Sequence, residues 1–154
     1  MKPDPQLRFG ATEPSLAYIE RQAAFGIVEL DGQIAIAAIT VNPGDAPVFD
    51  LPGGGIDPGE TETEALVREF GEETGLQVAA EHLLVRATQT FINPNGRPVN
   101  NHGAFYAATL TGEDPELKIE ADHELVWMTP QDFVRRARHE AQAWAVVVWL
   151  RRRV

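Results

Sequence analysis

Gly53-Gly54-Gly55-Ile56-Asp57-Pro58-Gly59-Glu60 leads into Thr61 to Val67 and then into Arg68-Glu69-Phe70-Gly71-Glu72-Glu73-Thr74-Gly75-Leu76. Thr61 followed three residues later by Glu64 is a capping box, in which each side chain satisfies the other residue's main-chain N–H. A helix is therefore predicted to begin at about Glu62, just after the Pro58-Gly59 turn. Gly75 supplies its stop, because glycine enters the left-handed conformation of a helix end without steric cost. On that helix Glu69, Glu72 and Glu73 stand at i, i+3 and i+4 and crowd onto one face, while Leu66 and Phe70 mark an apolar stripe for a core. Like charges so spaced oppose one another by a few tenths of a kcal/mol per pair, and by more where they are desolvated. A positive partner is expected. Arg68 is one candidate, but one guanidinium is ill suited to serve three carboxylates while also meeting Glu60. A hard divalent cation suits them better, since Mg2+ and Mn2+ take carboxylate oxygens and share the phosphate oxygens of a substrate.

Glu-x-x-Glu-Glu alone is usually a solvated helix face, so the spacing around it decides the reading. Five residues separate Gly54 from Glu60, and seven separate Glu60 from Arg68-Glu69-Phe70. One residue then precedes Glu72-Glu73 and one precedes Gly75-Leu76. Every fixed position of the Nudix box is filled, and residues 54–76 closely resemble the Nudix hydrolases, the MutT-like superfamily. That resemblance implies an α/β fold, an α/β/α sandwich with a central mixed β-sheet. It also implies cleavage by water, with Mg2+ or Mn2+, of a nucleoside diphosphate linked to another group. Carried over position by position, Glu69, Glu72 and Glu73 take the metal-ligand places, with a main-chain carbonyl at Gly53 or Gly54 as a further ligand. Glu69 also matches the place assigned as base or as ligand of the nucleophilic water, Arg68 would orient it, and Glu60 would pair with Arg68. Arg68, Glu69 and Glu72 are thus the catalytic candidates.

Family members often add an acidic group from a loop before the last strand. Glu120, Asp122 and Glu124 compete for that role here, with Glu120 favoured. The neighbouring His123 is expected on the surface, as are His82, His102 and His139. For the base of a nucleotide, Phe25, Phe49, Phe91 and Trp127 are stacking candidates, Phe25 and Phe91 foremost, although each is as readily a core residue. The loop bearing Asn93, Asn95, Arg97, Asn100 and Asn101 carries polar groups able to bond a base or phosphate, with Asn93 and Arg97 foremost, and is equally at home as a turn. The three glycines 53–55 also fit a tight strand-to-helix turn, and no Gly-Lys-Ser/Thr follows to make a phosphate-binding loop.

Outside the box, the 154 residues are near the commonest size for one domain, and 1–154 is read as a single domain. Hydrophobic residues make up 44% and charged residues 23%, as in globular proteins. A net charge of -10 would repel a long polyanion, so nucleic-acid polymers are disfavoured as partners, whereas bound metal can admit a small phosphate compound. The absence of cysteine excludes disulfides, thiolate zinc sites and a cysteine nucleophile. The proline-bearing start lacks the apolar stretch of a signal peptide, which leaves a cytoplasmic protein as the simplest reading.

Residues 1–20 are expected to be a loose lead-in with a short strand at Leu7 to Phe9. Two strands, 22–30 and 34–41, are predicted to form a hairpin about Asp31-Gly32. Val48 to Leu51 reads as a short strand, Gln77 to Phe91 as one or two strands, and Gly103 to Leu110 and Glu124 to Met128 as further ones. Thr129-Pro130 opens a C-terminal helical region with Pro130 at the first helical position. The apolar run 143–150 is too short for a bilayer, so no membrane is expected; it suits a core helix or, equally, a homodimer surface. The substrate lean is towards a (d)NTP or an oxidised one, because the family's ADP-ribose and dinucleoside polyphosphate signs are missing. ADP-ribose, nucleotide sugars, dinucleoside polyphosphates and a non-catalytic nucleotide-sensing module stand as alternatives.

Overall fold

The computed structural model describes residues 7–153. Residues 1–6 of the expected lead-in lie outside them. Leu7–Phe9 is the short strand β1, and β2 spans Ile19–Ile27. The order continues β3 (Glu29–Leu30), β4 (Gln33–Ile39), β5 (Val48–Asp50), β6 (Gly53–Gly55), α1 (Glu62–Thr74), β7 (Leu76–Ile92), β8 (Pro98–Glu113), β9 (His123–Met128), α2 (Pro130–Arg136) and α3 (Glu140–Arg152).

One mixed sheet runs β1-β7-β8-β2-β6. β1 joins β7 in parallel, β2 joins β8 in parallel, and the β7/β8 and β2/β6 pairs are antiparallel. In the second sheet β4 pairs antiparallel with β3, β5 and β9. The expected hairpin about Asp31-Gly32 is present, but in shortened form. Asp31 (φ 52°) and Gly32 (φ 80°) make a two-residue turn of the kind that matches strand twist. Only Glu29 and Leu30 pair back onto β4, because the preceding residues belong to the other sheet. Glycines 53–55 are likewise a strand rather than a turn, with Gly53 opposite Phe25 and Gly55 opposite Ala23.

From Ala23 onward both faces of β2 are buried, so those residues read as a continuous apolar run rather than an alternating one. Ala23, Phe25 and Ile27 join the core that holds Phe105, Phe133, Val146 and Trp149 under α2 and α3. Ala24 and Val28 join Leu66, Phe70 and Leu76 under α1. Helices therefore cover the sheets from two sides. Gly26 lets α1 approach: a Cβ there would stand 2.8 Å from both Leu66 and Phe70 side chains. Those two side chains are fully buried and contribute about 2–3 kcal/mol each.

The predicted boundaries of α1 hold. Thr61 caps Glu64 N–H while Glu64 reaches back to Thr61, and Gly75 closes the helix at φ 75°. Thr129 caps α2 with Pro130 in its first turn. The apolar run 143–150 lies in α3 with Ala145, Val146 and Trp149 buried, and among the described residues no helix is long and apolar enough to cross a membrane.

Candidate functional site

The helix sets Glu69 and Glu73 one turn apart, so both reach the same cavity, while Glu72 turns to Arg68. That cavity, about 290 Å³, is lined by Glu69 and Glu73, by Asp50 at the end of β5, by Gly53 and Gly54 of β6, and by Glu120 and His123 from the approach to β9. Arg21, Phe25, Phe91, Asn101, Arg138, His139 and Gln142 also line it. Gly54 fits beneath Glu69, where a Cβ would stand 2.9 Å from the carboxylate carbon. Gly53 has φ 148°, and a Cβ there would meet the Ala24 carbonyl oxygen at 2.2 Å.

Arg68 does more than expected. Its Nε donates to Glu60 Oε2 at 2.7 Å and its Nη2 to Glu60 Oε1 at 2.9 Å, a planar two-point match. The same Nη2 donates to the Gly55 carbonyl at 3.0 Å, and Nη1 donates to Glu69 Oε1 at 2.9 Å and Glu72 Oε2 at 3.1 Å. One guanidinium thus serves Glu60, Glu69 and Glu72 because the three lie around its plane. The Arg68 bond, helped by the Asp57 main-chain N–H, holds the Glu60 carboxyl down at about 2.

Glu73 is outside that arrangement. It is 4% exposed, and burial first, then the Glu69 carboxyl beside it and the charge of Asp50, push its pKa up to about 10. The Gly53 main-chain N–H acts in the opposite direction and is outweighed. Among the described residues its one salt-bridge neighbour is His123, whose Nε2 stands 3.9 Å from Glu73 Oε2. Asp50 is held by Arg138, Nη2 to Oδ2 at 2.5 Å. Glu69, Glu73 and Glu120 offer carboxylate oxygens here, and Glu73 is buried without an arginine or lysine partner among the described residues, which fits a hard divalent cation.

Of the acidic candidates before β9, Glu120 lines the cavity, whereas Asp122 bonds His123 Nδ1 at 2.8 Å and Glu124 is exposed on β9. Glu120, Asp122 and His123 can bring one ligand atom each within 4.8 Å of one another. The segment is pinned to α1, because the N–H groups of Ile119 and Glu120 both donate to the Glu72 carbonyl, at 3.0 and 3.1 Å.

The surface expectation holds for His82 and needs correction for the other histidines. His123 lies against Glu73, and His139 is 9% exposed and packs on the Phe91 ring at 4.6 Å. Burial lowers the His139 pKa. His102 bridges Thr88 and Glu20 on the opposite sheet face. Phe25 and Phe91 both reach the cavity, although Phe25 also stacks on Phe105 at 5.3 Å. Asn93 and Arg97 line a neighbouring hollow of about 340 Å³ instead, and the Asn93 side chain is used in its own turn, accepting from Arg97 N–H at 2.9 Å. Phe49 carries the Arg136 guanidinium, and Trp127 packs against the α1 core.

Sequence reasoning missed Asp50, Arg21, Arg138 and Gln142, and it named Asn101 only as one polar residue of a loop, whereas Asn101 lies in β8. Arg21 in β2 and Asn101 in β8 stand opposite each other. Asp50 ends β5, and Arg138 and Gln142 come from the α2–α3 region, where Arg138 N–H bonds the Phe49 carbonyl and Leu51 N–H donates to Gln142 Oε1 at 2.7 Å. A larger hollow, about 460 Å³ near Trp149, has its charges paired with each other, as Arg153 with Glu29.

The NUDIX domain family matches residues 20–150 of the chain. A provisionally named 8-oxo-dGTP diphosphatase of Bacillus subtilis (strain 168) is 48% identical over 58 residues, 38% of this chain. That match spans 37% of the relative's own length. The CTP pyrophosphohydrolase of Escherichia coli (strain K12) is 27% identical over 106 residues, 69% of this chain and 73% of that protein. In structure, a NUDIX hydrolase from Nitrosomonas europaea superposes with a TM-score of 0.71 at 19% identity, covering 85% of this chain and 88% of that one, which shows the shared fold. The filled box, the fold that presents it and the match over residues 20–150 agree: the chain belongs to the NUDIX family of hydrolases.

Proposed function

We propose that the chain is a metal-dependent pyrophosphohydrolase that cleaves a phosphoanhydride of a nucleoside triphosphate, plain or oxidised, to release the nucleoside monophosphate. The observation that carries this is a cavity lined both by the carboxylates of Asp50, Glu69, Glu73 and Glu120 and by Arg21, Asn101 and the Phe91–His139 ring pair. Such a cavity suits a ligand with a charged phosphate chain and a planar polar head. The activities of the Bacillus and Escherichia relatives, both on nucleoside triphosphates, support the same class.

Glu69, Glu73 and Glu120, with Gly53, would hold Mg2+ or Mn2+. Bound there, the ion would neutralise charge on phosphate oxygens and make water more acidic. Glu69, held in place by Arg68, receives a proton from the attacking water as its oxygen bonds to phosphorus. The bond between the α,β-bridging oxygen and the attacked phosphorus breaks with its electron pair going to that oxygen, which departs as pyrophosphate on attack at the α-phosphorus or as the nucleoside monophosphate on attack at the β-phosphorus. Glu72, which bonds Arg68 rather than lining the cavity, keeps Arg68 and so Glu69 in place. Incubation with (d)NTPs, 8-oxo-dGTP, ADP-ribose, nucleotide sugars and dinucleoside polyphosphates, with products identified by phosphorus NMR, tests the reading. Nucleoside monophosphate and pyrophosphate from a triphosphate, lost with EDTA, are expected. Hydrolysis of ADP-ribose alone, or hydrolysis unaffected by EDTA, would overturn it.

A further inference from the structure

Three amide side chains sit side by side where β7 and β8 pair, and they differ in one respect. Gln89 is satisfied at both ends: Nε2 donates to Glu140 Oε2 at 2.7 Å, and Oε1 accepts from Ala141 N–H at 2.9 Å. Asn100 is satisfied too, with Oδ1 accepting from Thr90 Oγ1 at 2.7 Å and Nδ2 donating to Glu20 at 3.1 Å. Asn101, directly opposite Gln89 in the β7/β8 register, is 9% exposed and lines the cavity, and its Oδ1 is buried with no hydrogen-bond partner among the described residues. A buried carbonyl without a donor costs stability, so its persistence needs a reason.

We propose that Asn101 is a specificity-determining residue that hydrogen-bonds an N–H group on the base edge of the nucleotide, while the base lies along the Phe91–His139 ring pair. This rests on the reading of the cavity as a nucleotide site. The position is suited to the task. Asn101 lines the same cavity as Phe91 and His139 and stands in register with Arg21 on β2. Phe91 and His139 form a wall, their ring centroids 4.6 Å apart. Gln89 and the α3 start are tied to each other, so nothing from that side competes for Asn101. A base presenting an N–H satisfies the buried carbonyl, and a base presenting only acceptors there leaves it unpaired, which is how a polar site rejects the wrong ligand.

Asn101→Leu and Asn101→Asp separate this role from a structural one. Steady-state kinetics with dATP, dGTP, dCTP, dTTP and 8-oxo-dGTP are read as ratios of kcat/KM between bases, together with Tm and with equilibrium binding of the corresponding nucleoside monophosphates in EDTA. Asn101→Leu is expected to lower kcat/KM for the preferred base about tenfold, mostly through KM, and to flatten the ratios while raising or holding Tm. Asn101→Asp, which keeps the acceptor and loses the amide donor, is expected to keep the base ranking. An unchanged base preference in Asn101→Leu, or a wild type with equal kcat/KM for all five, would overturn the inference while leaving the hydrolase reading intact. Failure of wild type to cleave any of the five in Mg2+ or Mn2+ would count against the hydrolase reading, and the monophosphate binding ratios would still decide the role of Asn101.

Discussion

Arg68 and Glu73 lie on the same helix, little more than one turn apart, and their surroundings are opposites. Around Arg68 every carboxylate has a donor: Glu60 is held at two points and Glu69 and Glu72 at one each. Around Glu73 the balance runs the other way, with Glu69 and Asp50 crowding a buried carboxyl that reaches no arginine or lysine among the described residues. The first cluster is complete within the chain and holds loop, strand and helix together. In the proposed reading, the second is completed by a cation from outside. Glu69 belongs to both, which lets the structural cluster aim the reactive one.

Breaking the shared member has the largest expected effect. Glu69→Gln should lower kcat by about 10³-fold with little loss of Tm, measured by product formation and thermal unfolding. Arg68→Ala attacks the completed cluster and should lose both activity, by about 10²-fold, and stability, by about 1–3 kcal/mol in urea unfolding, because three carboxylates lose a common partner. Gly54→Ala sharpens the comparison, since its Cβ must displace the Glu69 carboxylate, 2.9 Å away, without touching the Arg68–Glu60 pair. Activity should fall about tenfold while stability moves by less than ~1 kcal/mol.

The two clusters should also respond oppositely to pH in the metal-free protein. Glu73, raised from 4.5 to about 10, keeps its proton in the folded state while the unfolded chain loses it. Its contribution is therefore fully present below about 4.5 and is lost as pH rises towards 10, by up to ~1.4 kcal/mol per pH unit. Glu60, lowered to about 2, contributes above 4.5 and is lost as pH falls towards 2. Unfolding of the wild type in EDTA from pH 9 to pH 3 should show stability rising and then falling. Glu73→Gln should remove the rise alone.

Features set by neighbouring residues were legible in the sequence. The capping box at Thr61 and Glu64, the Gly75 stop and the Asp31-Gly32 turn each depend on a few consecutive side chains, and all three are present. The box carboxylates were legible because helical spacing alone brings Glu69 and Glu73 to one place. What was not legible depends on pairings across the chain. Arg21 and Asn101 reach the cavity because β2 and β8 align in parallel in one register, and a slip of one residue would send both to the α1 side. His139 and Arg138 reach it because α3 turns back over the sheet, an outcome of packing that no local pattern announces. The glycines at 53–55 were read as turn formers for the same reason, since their pairing with β2 is invisible without the partner strand.

The central claim is that the Glu69–Glu73 end of the cavity takes up a divalent cation. Calorimetric titration of Mn2+ into the protein at pH 7.5, in two buffers of different ionisation heat, counts the protons set free. Because Glu73 holds its proton at that pH, the account predicts release of about one proton per ion bound by the wild type and none by Glu73→Gln, with affinity in the variant greatly reduced. Equal Mn2+ affinity in the two proteins, with no proton released by either, would contradict it.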